Sequence, residues 1–238
     1  MQIGFVVALP REARSLLKAS AISVAKPLSL DNNLLVVSGM GARAAQAAAA
    51  LLVQQQVSAL VSWGTAAGLV PELGPGMVVI PTRVVGTEAK QYPAAQVWRQ
   101  RLIDKLNPRL SVVSGTLAEA DNVLHSKVQK SALHRSSSGA VACDMESGAV
   151  ARIAERSGLP FLAVRAIVDS SELSLPPELT ATLDTFGNPR LTRLAAQLCR
   201  HPSRLGQLLK LKDAFQLAMK NLALVYAIAG NELGYTER

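Results

Sequence analysis

Hydrophobic positions along the chain fall into short unbroken runs that alternate with helical spacing. Ile3 to Leu9 is a continuous apolar run, the mark of a strand covered on both faces. Pro10 suits the first turn of a following helix, and Glu12 lies in that turn, where a carboxylate complements the helix dipole. Leu34 to Val37 reads as a second strand, closed by Ser38-Gly39-Met40-Gly41 and followed by a helix from Ala42 to Gln55. Ala59 to Ser62 reads as a third strand, ending in the glycine-containing turn Gly64-Thr65-Ala66-Ala67-Gly68. A fourth, Met77 to Ile80, follows the turn Leu73-Gly74-Pro75-Gly76. Trp98 to Leu106 is helical in spacing, Leu110 to Leu117 extended, and Ser126 to His134 a short helix before the loop Arg135 to Gly139. Val141 to Ala151 reads as the start and body of an Ala-rich helix. Pro160 to Val168 is an apolar strand with Arg165 near its end and Asp169 just past it.

Strands alternating with helices predict an α/β fold, a mixed or mainly parallel sheet flanked by helices. After Asp169 the texture changes. Leu175-Pro176-Pro177 interrupts, and helical patterns resume near Pro189 and Pro202. The expected organisation is one domain over 1–238, with a core at 1–170 and a helical C-terminal part at 171–238.

Composition narrows the function classes. Hydrophobic residues make up 49% of the 238 positions but aromatics only 4%, so the core is aliphatic and base-stacking nucleic-acid modules are disfavoured. The net charge of +8 is spread along the chain and thickens after Arg190, which fits an anionic membrane surface as well as a plain solvated one. No nucleic-acid partner is expected. Cys143 and Cys199 lie far apart, and His125, His134 and His201 cluster with neither, so no metal site is expected. Met1 to Leu9 lacks a basic leader and is too short to span a bilayer. A cytoplasmic protein, possible contact with the inner membrane included, is the expectation.

The chemistry-bearing residues gather at strand ends, where open α/β sheets bind ligands. Backbone amides of the two glycine turns, 38–41 and 64–68, could approach an anion or a sugar, or the glycines could simply close tight turns. Neither turn matches a phosphate-binding loop ending in Gly-Lys-Ser/Thr or a dinucleotide fingerprint, so no nucleotide cofactor is expected. Taken singly, Glu12 and Glu146 are ordinary acids of a first helical turn, Asp144 is an N-cap, and Asp169 caps the segment after it. Together they place several carboxylates along one edge of one sheet.

With Ile3 to Leu9 and Glu12, Ser38-Gly39-Met40-Gly41, Gly64 to Leu69, Asp144-Met145-Glu146-Ser147 and Val164 to Asp169 in this order, the chain resembles the purine nucleoside phosphorylase and methylthioadenosine/S-adenosylhomocysteine nucleosidase superfamily over residues 1 to about 170. Its ending is most similar to hopanoid-associated phosphorylases: Leu175-Pro176-Pro177, the stretch Asp184 to Leu191, and a basic, Leu-rich helical tail. The resemblance implies a nucleoside-phosphorylase-like fold and cleavage of the N-glycosidic bond of an adenosine derivative, with adenosylhopane as the leading substrate. It also implies a homo-oligomer and a small-molecule nucleoside as partner, with phosphate as a possible co-substrate. Ordinary nucleosidase activity on methylthioadenosine or S-adenosylhomocysteine is the alternative, and a non-catalytic purine-binding protein the alternative from another class.

The same resemblance distributes roles. Asp169 matches the acid that protonates the leaving purine, Glu146 the acceptor of the ribose hydroxyls, and Met145 the residue packed on the sugar. Thr65 stands where the family usually has Ser, between Gly64 and Ala66, and Arg165 is expected to hold Glu12 or Asp169. The nucleophile is open. Glu12, and Ser62 in place of an arginine, favour water. Gly41, Arg43, Arg11 and Arg14 are candidates for binding phosphate, which the hopanoid resemblance places slightly ahead.

Overall fold

The computed structural model describes residues 1–18, 22–107, 109–174, 184–187 and 205–236. Within these, the strands are β1 (Ile3–Val7), β2 (Pro27–Leu30), β3 (Asn33–Val37), β4 (Ala59–Gly68), β5 (Val78–Val79), β6 (Arg83–Val85), β7 (Gln91–Pro93), β8 (Val112–Val113), β9 (Thr116–Glu119), β10 (Ala142–Asp144) and β11 (Phe161–Asp169). The helices are α1 (Pro10–Ala13), α2 (Ala42–Gln54), α3 (Gln96–Leu106), α4 (Lys127–Ser136), α5 (Ser147–Arg156) and α6 (Leu205–Ala229). The strands form one mixed sheet, as expected, and helices cover both of its faces.

Alternation along the central strands explains the two layers. Ile3, Phe5 and Val7 of β1 face one side with Trp63, joined by Trp98, Leu102 and Leu106 of α3 and Ala218, Leu222 and Val225 of α6. Val6 faces the other side, with Ala45, Ala49 and Leu52 of α2 and Ala149, Val150 and Ile153 of α5. Small residues along α2 and α5 let these helices sit close to the sheet. The C-terminal helix is therefore a core element. Its Tyr226 ring meets Phe5 and Trp63 edge-on, and its Asn221 donates to the Gly76 carbonyl at 2.8 Å. Leu205, Leu209, Leu217 and Leu224 remain exposed on it.

The site is created by β4. Its first half, Ala59 to Trp63, pairs in parallel with β1, and its far end, Ala67 and Gly68, pairs antiparallel with β10. On its opposite side β11 runs in parallel along nearly the whole strand. Residues 64–66 therefore lie in a notch where β1 has ended and β10 has not begun. Because β10 runs against β4, its C-terminal end delivers Asp144 and the residues after it into this notch.

Several sequence expectations change here. Gly64 to Gly68 is no turn but the second half of a ten-residue strand, held extended by its pairing with β11. Leu110 to Leu117 divides into β8 and β9, which pair with different neighbours, β5 and β6. Val141 to Asp144 begins as strand β10 and not as helix. The short strands β2, β6 and β7 carry too few apolar positions to show a period. Leu175-Pro176-Pro177 and the patterns near Pro189 and Pro202 lie outside the described residues.

Candidate active site

Glu12 is set by a short helix that follows β1 directly. The residue is 2% exposed. Oε1 accepts hydrogen bonds from the Thr65 amide at 2.8 Å and the Thr65 hydroxyl at 2.7 Å, and Oε2 accepts from the Leu9 amide at 3.0 Å. The Thr65 amide is free to do this because it lies in the notch, without a strand partner on that side. A Cβ at Gly64 would stand 2.8 Å from Glu12 Oε1, so glycine is what admits the carboxylate. Burial raises the Glu12 pKa, opposed by the Thr65 hydrogen bond and the nearby Arg165 charge.

Glu146 enters from the end of β10, as the residue just before α5. Its Oε1 accepts from the Gly41 amide at 2.7 Å, and Oε2 accepts from the Met145 amide at 3.3 Å. Burial, with Asp144 adding to it, pushes its pKa up to about 7 against the pull of Arg165. Gly41, expected among the phosphate ligands, thus has its amide engaged by a carboxylate. Arg11, Arg14 and Arg43, the other candidates for phosphate, are exposed.

The buried guanidinium among these carboxylates is Arg165, and it does not hold Glu12 or Asp169 directly. Its Nε donates to Asp144 Oδ2, and its NH2 group donates to Ser62 Oγ at 2.6 Å and Ser147 Oγ at 2.9 Å. Arg165 sits opposite Gly64 in the β11–β4 register, which brings its charge between the two glutamates. Asp144 also receives the Glu146 and Ser147 amides at 3.1 and 2.9 Å, acting as the N-terminal acceptor of α5. Ser62 therefore has a structural task, which sequence reasoning noted only as the lack of an arginine.

Asp169 is the last residue of β11, opposite Ala67. Lys130 of α4 is fully buried and donates to Asp169 Oδ2 at 2.5 Å. Sequence reasoning missed this lysine, although one signal existed: α4 has a capping box, Ser126 with Gln129, which fixes the turn from which Lys130 projects. Burial raises the Asp169 pKa and Lys130 lowers it. Thr65 and Met145 are half-buried beside the glutamates, and Ala66 is buried within β4. Part of the C-terminal segment reaches this edge too: the Met40 amide donates to the Thr185 carbonyl at 2.9 Å. There Phe186 lies beside Gly39, and Gly187 beside Leu9.

This arrangement has carboxylates on three sides of a notch at the strand ends, one of them backed by a lysine. The Phosphorylase superfamily model matches residues 2–200. The chain belongs to the Phosphorylase superfamily. It is 26% identical over 217 residues to the 5'-methylthioadenosine/S-adenosylhomocysteine nucleosidase of Shewanella baltica, covering 79% of this chain and 92% of that protein. Among solved structures it is similar to the Helicobacter pylori 5'-methylthioadenosine/S-adenosylhomocysteine nucleosidase complexed with a substituted pyrrolidin-3-ol, with a TM-score of 0.70 at 16% identity, covering 95% of this chain and 96% of that one. The Neisseria meningitidis nucleosidase in complex with methylthio-immucillin-A also gives a TM-score of 0.70, at 17% identity and the same coverage. These structural likenesses establish the fold as that of the nucleosidases.

Proposed function

We propose that the protein hydrolyses the N-glycosidic bond of an adenosine derivative and releases adenine, with 5'-methylthioadenosine and S-adenosylhomocysteine as the leading substrates. The enzyme class is nucleoside N-glycosidic bond cleavage. The observation that carries the choice of water as nucleophile is the Glu12 carboxylate, buried in the notch and held by Thr65 and Leu9. A carboxylate whose pKa burial raises is suited to orient a water and take its proton.

In this mechanism the C1'–N9 bond breaks and its electron pair stays with the purine. Asp169 gives a proton to the base at N7, which neutralises the leaving group. Glu146 accepts hydrogen bonds from the 2'- and 3'-hydroxyls and sets negative charge beside the developing oxocarbenium ion. Met145 packs on the sugar face. Water adds to C1', and Glu12 takes its proton. The Glu146 carboxylate suits this task because the Gly41 amide already fixes one of its oxygens.

Phosphate, placed slightly ahead by the sequence, is the weaker reading. The curated relatives are nucleosidases by name. The buried Arg165 is spent on Asp144, Ser62 and Ser147. A triterpene-bearing substrate and a membrane contact likewise have no observation in their favour beyond the exposed leucines of α6, and no described helix is long and apolar enough to cross a membrane.

The test is adenine release from methylthioadenosine, S-adenosylhomocysteine and a long-chain 5'-alkyl adenosine, each with and without phosphate. The expected result is an unphosphorylated sugar product, formed at a rate indifferent to phosphate. A sugar-1-phosphate appearing only with added phosphate would restore phosphorolysis. Strong preference for the long-chain analogue would restore the lipid-linked substrate.

A further inference from the structure

Lys130 is the one lysine among the described residues that is completely buried, and it lies outside the Glu12–Glu146–Arg165 group. Burying an ammonium is expensive unless every proton finds a partner. Here all three do: Asp169 Oδ2 at 2.5 Å, the Ser170 carbonyl at 2.6 Å and the Leu173 carbonyl at 3.1 Å. The two carbonyls belong to the turn that follows β11. Lys130 thus grips the backbone just past Asp169 and one of the two Asp169 oxygens together. No other side chain among the described residues bonds Asp169, and Oδ1 is the oxygen that Lys130 does not hold.

We propose that Lys130 is a positioning residue for Asp169: it fixes which oxygen meets the base, and it stabilises the carboxylate that Asp169 becomes once its proton has gone to the purine. This rests on the reading of Asp169 as the general acid. The proton balance is simple. The proton on Oδ1 moves to N7, the electron pair of the broken C1'–N9 bond remains in the purine, and the new carboxylate is neutralised by an ammonium already in place. Lys130 keeps all its protons throughout. Two opposed influences set the acid: burial favours the neutral carboxyl and Lys130 favours the anion. The other groups facing the pair come from β10. Cys143 is held as a neutral thiol by burial, and the Asp144 charge is tied to Arg165.

The test is the pH profile of kcat/KM for Lys130→Met, which keeps the length of the side chain and removes its charge. Asp169 must be protonated to act, so its ionisation forms the alkaline limb. Without Lys130 that limb is expected to move up by about one pH unit or more. The plateau kcat is expected to fall about 10-fold, because the acid has become weaker. In an Asp169→Asn background the same substitution is expected to cost nothing further. A limb that stays where the wild type has it, in a folded variant of reduced activity, would show that Lys130 only braces the turn and would overturn the proposal, as would wild-type kinetics. Full activity in Asp169→Asn alone would instead defeat the reading of Asp169, leaving the two failures distinct. Should Lys130→Met not fold, Lys130→Gln takes its place. Should neither fold, proton uptake on adenine binding to the wild type decides, measured by calorimetry in buffers of different ionisation enthalpy. About one proton taken up above the limb supports the proposal, and adenine binding without uptake over about pH 6 to 9 overturns it.

Discussion

Two buried ion pairs lie at neighbouring strand ends, Asp144 with Arg165 and Asp169 with Lys130, and they are built differently. The Asp144 and Arg165 side chains are 1% and 2% exposed, while that of Asp169 keeps 10%. Asp144 uses both oxygens within the protein, accepting two amides, the Ser147 hydroxyl and the Arg165 guanidinium. Asp169 uses Oδ2 on Lys130, and no further side chain among the described residues bonds it. A planar guanidinium with several donors suits the first, since it ties Asp144, Ser62 and Ser147 into one cluster. A compact ammonium suits the second, since it backs a carboxyl from one side only. The lesson is that a closed pair organises the site, and a half-open one is available to react. A carboxylate in a closed pair has no oxygen left for substrate.

The difference can be broken first on the closed side. Arg165→Met leaves Asp144 buried without its cation and removes donors from Ser62 and Ser147. Breaking a buried pair in this way costs about 3–5 kcal/mol. The expected result is a large drop in Tm, with activity lost because Glu12 and Glu146 lose the charge between them. A melting curve like the wild type's would mean that the cluster is not structural. On the open side the balance reverses. Asp169→Asn keeps the shape and still accepts from Lys130, so it is expected to melt close to the wild type while kcat falls about 10²-fold or more, the usual scale for removing acid catalysis. A variant that unfolds without a specific loss of kcat would erase the distinction between the two pairs.

How much of this could be read in the chain depends on the range over which each signal acts. The apolar runs Ile3 to Leu9, Leu34 to Val37 and Pro160 to Val168 were legible because strands buried on both faces have few polar positions to interrupt them, Arg165 being the one interruption here. The positions of Glu12 and Asp169 at strand ends were legible for the same reason, whereas β10, which delivers Glu146, was read as the start of a helix. Gly64 to Gly68 was misread because glycine and threonine in a row suggest a turn. Only the pairing with β11, about a hundred residues later in sequence, shows that this stretch is extended. Arg165 was found but given the wrong partner, because Asp144 reaches it only through the reversal of β10 against β4. Lys130 was missed: the capping box of α4 marks where the helix starts, but a lysine in a short polar helix carries no local mark of being buried. Pairing across long sequence separation decides all three, and no local period reports it.

The smallest effect expected concerns Glu146, which lies beside the closed pair and feels both Asp144 and Arg165. Its pKa in the fold is raised from 4.5 to about 7, first by burial and then by Asp144. A carboxyl with a raised folded pKa holds its proton in the native state after the unfolded chain has lost it. Stability therefore falls as pH rises between those two values, and the loss is complete above the higher one. Glu146→Gln removes this titration, while its side-chain oxygen can still accept from the Gly41 amide. The variant is expected to gain on the order of 2 kcal/mol relative to the wild type between pH 5 and pH 8. Urea melts of both proteins at these two pH values measure it. The gain should appear at pH 8 and vanish at pH 5. A difference that does not change with pH would mean that Arg165 already compensates Glu146 as fully as it does Asp144, and the site would then hold two closed carboxylates beside its single half-open one.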